Sequence, residues 1–492
     1  MFEIGLLQIG VATLGVFVGI IFGALPGMTA TMAVAVFLPL TYAYDLSTAM
    51  YLLLGLYVGG ISGGLVPAIL INIPGTPSSL CSTFEGYPMA KRGEGERALK
   101  IAITSSFIGG LFSLMCLWLF TPPLASLAIK FSSVEKFLII LFALTVIAAL
   151  SKGNMLRGIF AGFLGVLVAL MGSFSDNNQL RLVPEMLESQ LVYGFNLLPL
   201  LIGLFAVSQM LQEAEAGMKP ANANILKMTK DAKKFSIKDV IRHPIGLLRS
   251  SIIGTFIGVL PGIGGSAASL MSYSQYKSWT KHPELVGTGS PEGLVCTESA
   301  DNALTGGALI PLLSLGLPGD STTAVLIGAF MLQGIQVGPL FITQNPGVWK
   351  SILVGLVIAN ILMFAMMFFS IKYMSNIVKI PPARLYPIIT VMCIVGSYAI
   401  NNGVMFDVWT MLIFGLVGFF FDKIHMPATP FLIGFILGGD LEKYFIQSVK
   451  GASGSLGVFF SRPIGLVIWV LIVISIAYAI LDNQKSKKAQ AA

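Results

Sequence analysis

The sequence predicts an all-α polytopic membrane protein made of two inverted structural repeats with helical hairpins and broken helices. Three observations support this prediction: the apolar composition, a series of apolar runs separated by short basic loops, and two sets of matching Pro-Gly segments. Of the 492 residues, 55% are hydrophobic and only 11% are charged. A soluble protein carries charge on about a quarter of its residues, so this composition excludes a soluble or disordered chain.

The apolar runs define the candidate membrane segments. A helix that crosses the hydrocarbon layer needs about 20 apolar residues. Several runs are shorter than this because Pro-Gly interrupts them. The first run lacks the basic start and small-residue cleavage site of a signal peptide, so we interpret it as a retained span. The candidate spans are 6–24, 28–44, 49–73, 101–128, 135–150, 155–174, 191–211, 248–260, 264–276, 303–317, 322–337, 351–371, 385–400, 405–421, 428–440 and 463–481.

Loop charge predicts the orientation and the domain boundaries. The net charge is +7, and the basic residues concentrate in short loops, as in cytoplasmic loops of membrane proteins. We therefore expect a lipid bilayer around the chain and no nucleic-acid partner. The basic loop 91–97 is predicted to be cytoplasmic, and the acidic stretch 175–190 periplasmic. The predicted organisation is a first membrane repeat (1–212), a basic cytoplasmic linker (213–247), a second membrane repeat (248–446), an extra C-terminal span (447–482) and a cytoplasmic tail (483–492).

Three pairs of segments match in the same order and indicate an internal repeat. The first two pairs are offset by 235 and 244 residues, which predicts a nine-residue insertion around 285–300. Corresponding loops of the two halves carry opposite charge bias, as an inverted repeat requires. The pairs are GIIFGALPG (19–27) with GTFIGVLPG (254–262), VPAILINIPGTPSS (66–79) with IPLLSLGLPGDSTT (310–323), and LPLLIGLFAVSQML (198–211) with TPFLIGFILGGDLE (429–442).

Four Pro-Gly pairs are predicted to break helices at membrane depth. Proline removes a backbone donor and glycine favours non-helical geometry, and such breaks persist in a membrane only inside protein or beside a polar cavity. A helix that restarts after a break offers N–H groups to an anion, whereas the open carbonyls before the break favour Na⁺. The alternative is a simple kink. The predicted substrate-binding residues are Pro26, Gly27, Thr29, Thr31, Pro74, Gly75, Thr76, Ser78, Ser79, Pro261, Gly262, Gly264, Gly265, Ser266, Pro318, Gly319, Ser321, Thr322 and Thr323.

Polar residues of the second half are candidates for binding a coupling cation. Charged groups inside a membrane are costly and are usually functional. The alternative for the first two acids is a cytoplasmic loop. The predicted cation-binding residues are Glu298, Asp301, Asn302 and Asp320.

No catalytic or metal motif is recognisable. The cysteines Cys81, Cys116, Cys296 and Cys393 lack CxxC spacing and are interpreted as buried thiols. No nucleophilic triad and no phosphate-binding GxxxxGK[ST] motif is present. We therefore expect no catalytic residue, no cofactor and no metal other than Na⁺ as a candidate coupling ion.

Four long segments around the Pro-Gly breaks carry a recognisable pattern: GALPGMTATMAVAVFLPLTY (23–42), NIPGTPSSLCSTFEGYPMAKRGEGERAL (72–99), GVLPGIGGSAASLMSYSQYK (258–277) and ESADNALTGGALIPLLSLGLPGDSTTAVLIGAF (298–330). They resemble the large membrane subunit of the tripartite tricarboxylate transporters, the TctA family. This resemblance implies a permease of the bacterial inner membrane that works with a small four-span membrane subunit and a periplasmic solute-binding protein. It also implies carboxylate uptake driven by an ion gradient, commonly of Na⁺.

The sequence departs from the family pattern at two acids. The family usually has a PEAANNA-like stretch where residues 297–303 read TESADNA, and PGSATTA where residues 318–324 read PGDSTTA. Asp301 and Asp320 are therefore additional acids beside the expected anion site.

The expected function is that of a non-enzymatic permease subunit. It would import small di- or tricarboxylates in a binding-protein-dependent secondary transporter coupled to Na⁺ or H⁺, with an elevator-like movement. A homodimer of the permease is a further expectation. Two alternatives stay open at this point: a membrane-embedded enzyme acting on a lipid-linked substrate, and a channel without a carrier cycle.

Overall fold

The fold of the chain is given by a computed structural model that describes residues 5–149, 155–174, 179–217, 234–401 and 403–491. Within these ranges helices dominate, and the two strands have two residues each. The prediction of an all-α polytopic membrane protein is confirmed. Residues 218–233 of the predicted linker, the first four residues (175–178) of the predicted periplasmic stretch and the loop after α7 (Ser133–Ala149) lie outside the described residues.

The first half of the chain contains short and long helices in alternation. Its 3₁₀ segments are Leu38–Ala43, Pro77–Cys81 and Glu185–Leu187, and a π-helix covers Ile202–Val207. The other elements are α1 (Leu6–Ala24), α2 (Ala30–Phe37), α3 (Leu46–Gly63), α4 (Leu65–Ile71), α5 (Ser82–Lys91), α6 (Gly95–Ile129), α7 (Ser133–Ala149), α8 (Met155–Ala169), β1 (Gly172–Ser173), β2 (Leu180–Arg181), α9 (Glu188–Leu191), α10 (Leu197–Leu201) and α11 (Ser208–Glu215).

The second half repeats this alternation and ends with a long helix. Its 3₁₀ segments are Pro283–Leu285 and Leu456–Phe460. Its helices are α12 (Lys238–Ile241), α13 (Pro244–Val259), α14 (Gly265–Trp279), α15 (Pro291–Leu315), α16 (Ser321–Leu332), α17 (Phe341–Gln344), α18 (Pro346–Phe369), α19 (Ile371–Ile377), α20 (Pro382–Ile400), α21 (Met405–Lys423), α22 (Ala428–Gly451) and α23 (Pro463–Ala491).

The largest difference from the predicted spans is at α15. This helix begins at Pro291, whereas the apolar run predicted a start at 303. Part of the predicted insertion around 285–300 is therefore helical. Smaller differences are the end of α16 at Leu332 and the short antiparallel pair β1–β2, which the sequence did not predict.

Several helices have the length and composition of membrane spans. Large apolar side chains on them are exposed, among them Trp118 (59%) and Phe369 (80%), as expected for surfaces that face lipid rather than water. Among the described residues, six helical segments are long and apolar enough to cross a bilayer: Leu6–Ala24, Leu46–Ile71, Gly95–Ile129, Leu197–Glu215, Pro346–Phe369 and Met405–Lys423.

The chain forms two compact units. Unit 1 comprises Met1–Ala125, Gln209–Val259 and Ile263–Gly396. Unit 2 comprises Ser126–Ser208, Leu260–Gly262 and Ser397–Ala492.

Inside unit 1, the two halves use the same glycine-based packing. Helix α1 packs on α3 with Gly23 so close that a Cβ there would collide with the carbonyl of Gly60. Helix α13 packs on α15 in the same way, with Gly254 against the carbonyl of Ala300. Small residues at such contacts let membrane helices approach closely. The pairs α1–α3 and α13–α15 are therefore structural counterparts.

In unit 1, the long helix of each half packs against the other half. Helix α6, from the first half, lies against α15, where a Cβ on Gly109 would collide with the carbonyl of Ser299. Helix α18, from the second half, lies against α3, with Gly355 near Leu54. Each half therefore packs its long helix on the other half, which joins both halves in one body.

Loop contacts in unit 1 agree with inverted halves. Gln333 Nε2, after α16, donates to Tyr44 O at 3.0 Å. Arg92 Nη2, after α5, donates to Gly289 O in the loop between α14 and α15 at 3.0 Å. The loop after the first break of one half thus meets the loop after the second break of the other. An inverted repeat predicts this pairing, and a parallel repeat does not.

Unit 2 is a separate packing of the remaining helices. A cluster of buried apolar residues joins α7 to α23 through Leu138 and Ile468. Helix α22 packs on α8 at Gly165, where a Cβ would collide with the carbonyl of Phe431. Arg181 of β2 pairs with Glu442 of α22 at 2.6 Å.

Thiol labelling can test the predicted inversion. A membrane-impermeant maleimide should label Tyr42→Cys and Thr343→Cys in intact cells, because their loops lack basic residues. It should label Lys91→Cys and His282→Cys only after permeabilisation, because basic loops stay in the cytoplasm. These four positions are exposed. The unsubstituted chain is the control, since its own four cysteines are buried. Labelling of Tyr42→Cys and His282→Cys from the same side would contradict the inversion.

Candidate functional site

All four Pro-Gly pairs interrupt helices, as predicted. Pro26-Gly27 separates α1 from α2, and Pro261-Gly262 separates α13 from α14. Gly27 and Gly262 have positive φ of 86° and 75°, which is a conformation that glycine adopts readily. Pro318-Gly319 lies between α15 and α16. After Pro74-Gly75 the chain restarts as the 3₁₀ segment Pro77–Cys81 rather than as an α-helix.

The four helix starts after these breaks differ in capping. Thr29 caps α2 by accepting from Met32 N at 3.1 Å. Asp320 caps α16 by accepting from Thr323 N at 2.7 Å. At the 3₁₀ segment, Thr76 N donates to Ser79 Oγ at 3.3 Å. Only α14 among the four begins with a glycine at its N-cap, Gly264, and has no side-chain cap.

The α2 and α16 starts meet in what we call the first junction, formed by Thr31, Tyr57, Asp320, Thr322 and Thr323. Thr31 Oγ1 and Thr322 Oγ1 are 2.8 Å apart, which joins the two halves directly. Tyr57 of α3 donates its hydroxyl to Asp320 Oδ2 at 2.7 Å, and Thr323 Oγ1 lies 2.7 Å from Asp320 Oδ1. Both carboxylate oxygens of Asp320 therefore have protein partners.

The α14 start and the 3₁₀ segment meet in the second junction, formed by Thr76, Ser78, Gly265, Asp301 and Ser269. A Cβ on Gly265 would lie 2.6 Å from Ser78 Cβ and 3.0 Å from Asp301 Oδ1. Thr76 Oγ1 and Ser78 Oγ are 3.1 Å apart, and Ser269 Oγ donates to Ser78 O at 2.6 Å. This junction brings predicted substrate-binding and cation-binding residues together.

The acids of α15 are buried on a helix, not placed in a loop. Glu298 accepts hydrogen bonds from Ser82 and from Ser106 Oγ, the latter at 2.8 Å. Ser62 Oγ donates to Asn302 Oδ1 at 3.1 Å. Glu298 and Asn302 are 0% exposed and Asp301 is 1% exposed. The alternative of a cytoplasmic loop is therefore excluded.

Two buried polar atoms, one in the second junction and one on the next residue of α15, lack hydrogen-bond partners among the described residues. Asp301 Oδ1 and Asn302 Nδ2 are buried and have no hydrogen-bond partner in the described part of the chain. Buried polar atoms nearly always have partners. In the same part of the chain, no Lys, Arg or His forms a salt bridge with Asp301, Asp320 or Glu298.

Other predicted site residues lie around the breaks. Gly27 is close enough to Glu213 that a Cβ would collide with its carboxylate. Gly75 packs on Gly64, and Gly319 packs on Ala308, so both are required for close backbone approach. The remaining predicted residues divide by exposure: Pro26, Pro74, Ser266 and Ser321 are half-buried, whereas Pro261 and Pro318 are buried.

Sequence reasoning missed six polar residues of this region: Tyr57, Ser62, Ser82, Glu85, Ser106 and Ser269. One signal was present for Tyr57. The offset of 244 residues that matches 66–79 with 310–323 also places Tyr57 opposite Asp301, on counterpart helices α3 and α15. The two junctions are thus counterparts as well, with a tyrosine in one and an aspartate in the other.

Glu85 of α5 is the most densely hydrogen-bonded of the missed residues. It is 0% exposed. Its carboxylate accepts from the Tyr273 hydroxyl at 2.9 Å and from the N–H groups of Gly287, Gly289 and Ser290 at 2.7, 2.9 and 2.8 Å. These groups belong to α14 and to the loop that leads into α15. Glu85 therefore holds the two elements that supply the second junction.

The described residues contain no group of three or more His, Cys, Asp or Glu side chains that could hold a metal ion. A Na⁺ ion takes oxygen ligands of the kind present at the second junction, namely a carboxylate and hydroxyls. The buried Asp301 Oδ1 fits such an ion. The four cysteines are buried, as predicted.

Comparisons with known proteins identify the family. A model described as "Tripartite tricarboxylate transporter TctA family" matches residues 9–433. The chain is 33% identical over 480 residues to the "Uncharacterized 52.8 kDa protein in TAR-I ttuC' 3'region" of Agrobacterium vitis, with 96% of this chain and 93% of that protein covered. It is 35% identical over 237 residues to the "Uncharacterized protein in TAR-II ttuC' 3'region" of the same organism, with 48% of this chain and 98% of that protein covered. No solved structure matches. The chain belongs to the tripartite tricarboxylate transporter TctA family and is a multi-pass membrane transport protein.

Proposed function

We propose that this chain is the permease subunit of a binding-protein-dependent secondary transporter that imports small di- or tricarboxylates with Na⁺ or H⁺. The observation that carries the proposal is the second junction. There the uncapped start of α14 lies beside the buried Asp301, whose Oδ1 has no partner in the described part of the chain. A helix start attracts a carboxylate, and a buried carboxylate without a basic partner attracts a cation.

We assign roles to the predicted residues according to whether the helix start on which they lie is capped. The uncapped α14 start, with Gly264, Gly265 and Ser266, is the part of the predicted substrate site that we favour. The starts of α2 and α16 are occupied by their own side chains, Thr29 and Asp320. They would shape the site rather than bind the charged end of the substrate. The 3₁₀ segment contributes the hydroxyls of the second junction.

The cation site that we propose is centred on α15. Glu298, Asp301 and Asn302 lie within two helical turns on this helix. The two buried carboxylates among them, and that of Asp320, lack a basic partner among the described residues. Unpaired buried charge is expensive, so bound Na⁺ or H⁺ would compensate it. Asp320 keeps its predicted place in this set, although its carboxylate already caps α16.

The partners follow from the family. The large subunit of a tripartite transporter works with a small four-span membrane subunit and a periplasmic solute-binding protein, and we propose both for this chain. The bacterial inner membrane and a permease homodimer belong to the same proposal. The movement that we expect is elevator-like.

Uptake by proteoliposomes tests this function. The chain, reconstituted with its small subunit and binding protein, should accumulate radiolabelled citrate or succinate when an inward Na⁺ or H⁺ gradient is imposed. Dissipating both gradients should abolish accumulation. Saturable uptake distinguishes a carrier from a channel. Absence of uptake of every di- and tricarboxylate tested, under either gradient, would contradict the proposal.

A double substitution tests the location of the site. Thr76→Ala with Ser78→Ala should reduce citrate or succinate uptake at least tenfold, because the hydroxyls of the second junction are lost. Thr343→Ala, on an exposed loop, is the control and should transport at the wild-type rate. A wild-type rate in the double variant would show that the substrate site lies elsewhere.

A further inference from the structure

We propose that Asp301 makes binding ordered: a cation must neutralise Asp301 before the substrate carboxylate can occupy the start of α14. This inference rests on the proposed function and adds the order of binding and the residue that imposes it. Its chemical basis is that Asp301 and the substrate are both anionic and compete for the same positive end of a helix.

The first step of the argument is the position of Asp301. Its Oδ1 lies 3.0 Å from the point where a Cβ on Gly265 would stand, and Gly265 is the first residue of α14. Gly264 at the N-cap has φ of +76° and offers no side chain to the helix start. The carboxylate of Asp301 therefore lies beside the first residue of α14, and its Oδ1 accepts no hydrogen bond from the described part of the chain.

The second step is the state of that carboxylate. Asp301 is 1% exposed and its Oδ1 has no hydrogen-bond partner in the described part of the chain. The same carboxylate interacts with the Ser78 side chain. An unpaired buried oxygen costs free energy. Asp301 Oδ1 is therefore expected to bind a cation or a proton from outside the chain.

The third step is the charge around Asp301. Glu298 lies three residues earlier on α15 and therefore on the same face of the helix. Tyr57 of α3 is a further titratable group close to Asp301, and its hydroxyl is uncharged near neutral pH. The elements that pack there from the first half and from α14 bring Ser78 and Gly265, which are uncharged. No basic side chain among the described residues pairs with Asp301, so its neutralising charge comes from a bound ion.

The contrast between the junctions supports the same conclusion. At the first junction, Tyr57 occupies the position that Asp301 has at the second, and its hydroxyl donates to Asp320. Asp320 also accepts from Thr323 N, so both of its carboxylate oxygens have hydrogen-bond partners within the chain. The second junction has an aspartate in place of the tyrosine. Its unpaired carboxylate oxygen needs a cation, and its uncapped helix start needs an anion.

The order follows from electrostatics. Two carboxylates at one buried helix start repel each other strongly, because the dielectric constant there is low. A substrate carboxylate therefore enters only after the charge of Asp301 is removed. When substrate and cation leave together, the site returns to a state that rejects the anion, which prevents the carrier from leaking substrate without the ion.

Asp301→Asn tests this inference in the complete transporter. The amide is nearly isosteric and removes the charge. In proteoliposomes with citrate or succinate, the variant should show uptake that no longer depends on Na⁺ or pH, and it should equilibrate substrate without accumulating it. The wild type should lose at least 90% of its initial uptake rate when Na⁺ is omitted and the proton concentration is lowered. Glu292→Gln, on the first turn of the same helix, is the matched control and should keep the wild-type cation dependence.

Two arms identify the cation. If wild-type uptake at fixed pH rises with Na⁺ but not with choline, and Asp301→Asn abolishes this rise, the ion is Na⁺. If the rise follows acidification without Na⁺ and is lost in the variant, the ion is H⁺. Either result supports the inference. A variant that keeps the wild-type cation dependence overturns it.

A measurement on the wild type covers the case in which the variant does not fold. At constant ionic strength, the activating cation alone should raise the midpoint of thermal unfolding of the purified chain. Citrate or succinate should raise it only when that cation is present, because a ligand stabilises only a state that can bind it. Stabilisation by the carboxylate alone would overturn the order. Failure of all carboxylates to be transported by the wild type would instead refute the proposed function.

Discussion

Glu298→Gln is expected to abolish accumulation of the carboxylate while the protein stays folded. Ser82 and Ser106 contact the carboxylate of Glu298, and serine hydroxyls can rotate to donate or accept. Glutamine can therefore keep the contacts, but the negative charge that attracts the coupling cation is lost. A loss of roughly 1.4 kcal/mol in cation binding lowers its affinity tenfold. We expect at least a tenfold fall in gradient-driven uptake.

Glu292→Gln is again the control for this prediction, because it lies on the same helix, is half-buried and accepts from Thr280 at 3.0 Å. Its uptake should stay within twofold of the wild type. The measurement is initial uptake in proteoliposomes, normalised to the amount of folded protein. Gradient-driven accumulation at the wild-type level in Glu298→Gln would remove Glu298 from the proposed cation site.

Glu85→Ala should give the largest loss of stability. The side chain accepts four hydrogen bonds, three of them from backbone N–H groups of the loop before α15. Removing the acceptor leaves the donors of Tyr273, Gly289 and Ser290 buried without this partner, at a cost of roughly 1–3 kcal/mol for each unsatisfied group. Even with partial relaxation, the total is on the order of 4 kcal/mol, a large part of the stability of a typical protein.

The measurement is the midpoint of thermal unfolding in detergent, together with the yield of folded protein. Glu85→Gln should be intermediate, because its carbonyl oxygen keeps part of the contacts while its NH₂ group faces other donors. Glu96→Ala is the control, since its salt bridge with Lys100 is exposed and worth about 0–1 kcal/mol. A Glu85→Ala protein as stable as the control would show that the loop is held by other contacts.

The sequence predicted the features that depend on local chemistry. The breaks at Pro26-Gly27, Pro74-Gly75, Pro261-Gly262 and Pro318-Gly319 all occur, because proline and glycine act on the backbone wherever they stand. The first span is correct to the residue, Leu6–Ala24, because an unbroken apolar run has no competing interpretation.

The start of α15 was not predicted, because it depends on tertiary packing. Residues 291–302 include Glu292, Thr297, Glu298, Asp301 and Asn302, a polar composition that favours a loop over a membrane helix. In the folded chain the helix is packed against α13 and α6, and Ser106 of α6 donates to Glu298. Packing therefore overrides the local preference for a loop.

The pairing of the junctions also lies beyond sequence reasoning. Tyr57 and Asp320 are 263 residues apart, and Ser82 and Glu298 are 216 apart. Hydrophobic periodicity says which face of a helix is buried, but not which polar residue it meets. The repeat offset came nearest, because it places Tyr57 and Asp301 at equivalent positions. The capping of three helix starts and the bare start of α14 required the coordinates.

The most direct test of the central claim is a density map of the transporter with its carboxylate and activating cation bound. The substrate carboxylate should lie against the N–H groups at Gly265 and Ser266, with the cation, if it is Na⁺, within coordination distance of Asp301 Oδ1. Substrate density away from the four breaks, or at the α14 start in a preparation free of Na⁺ and at a pH that prevents transport, would contradict the claim.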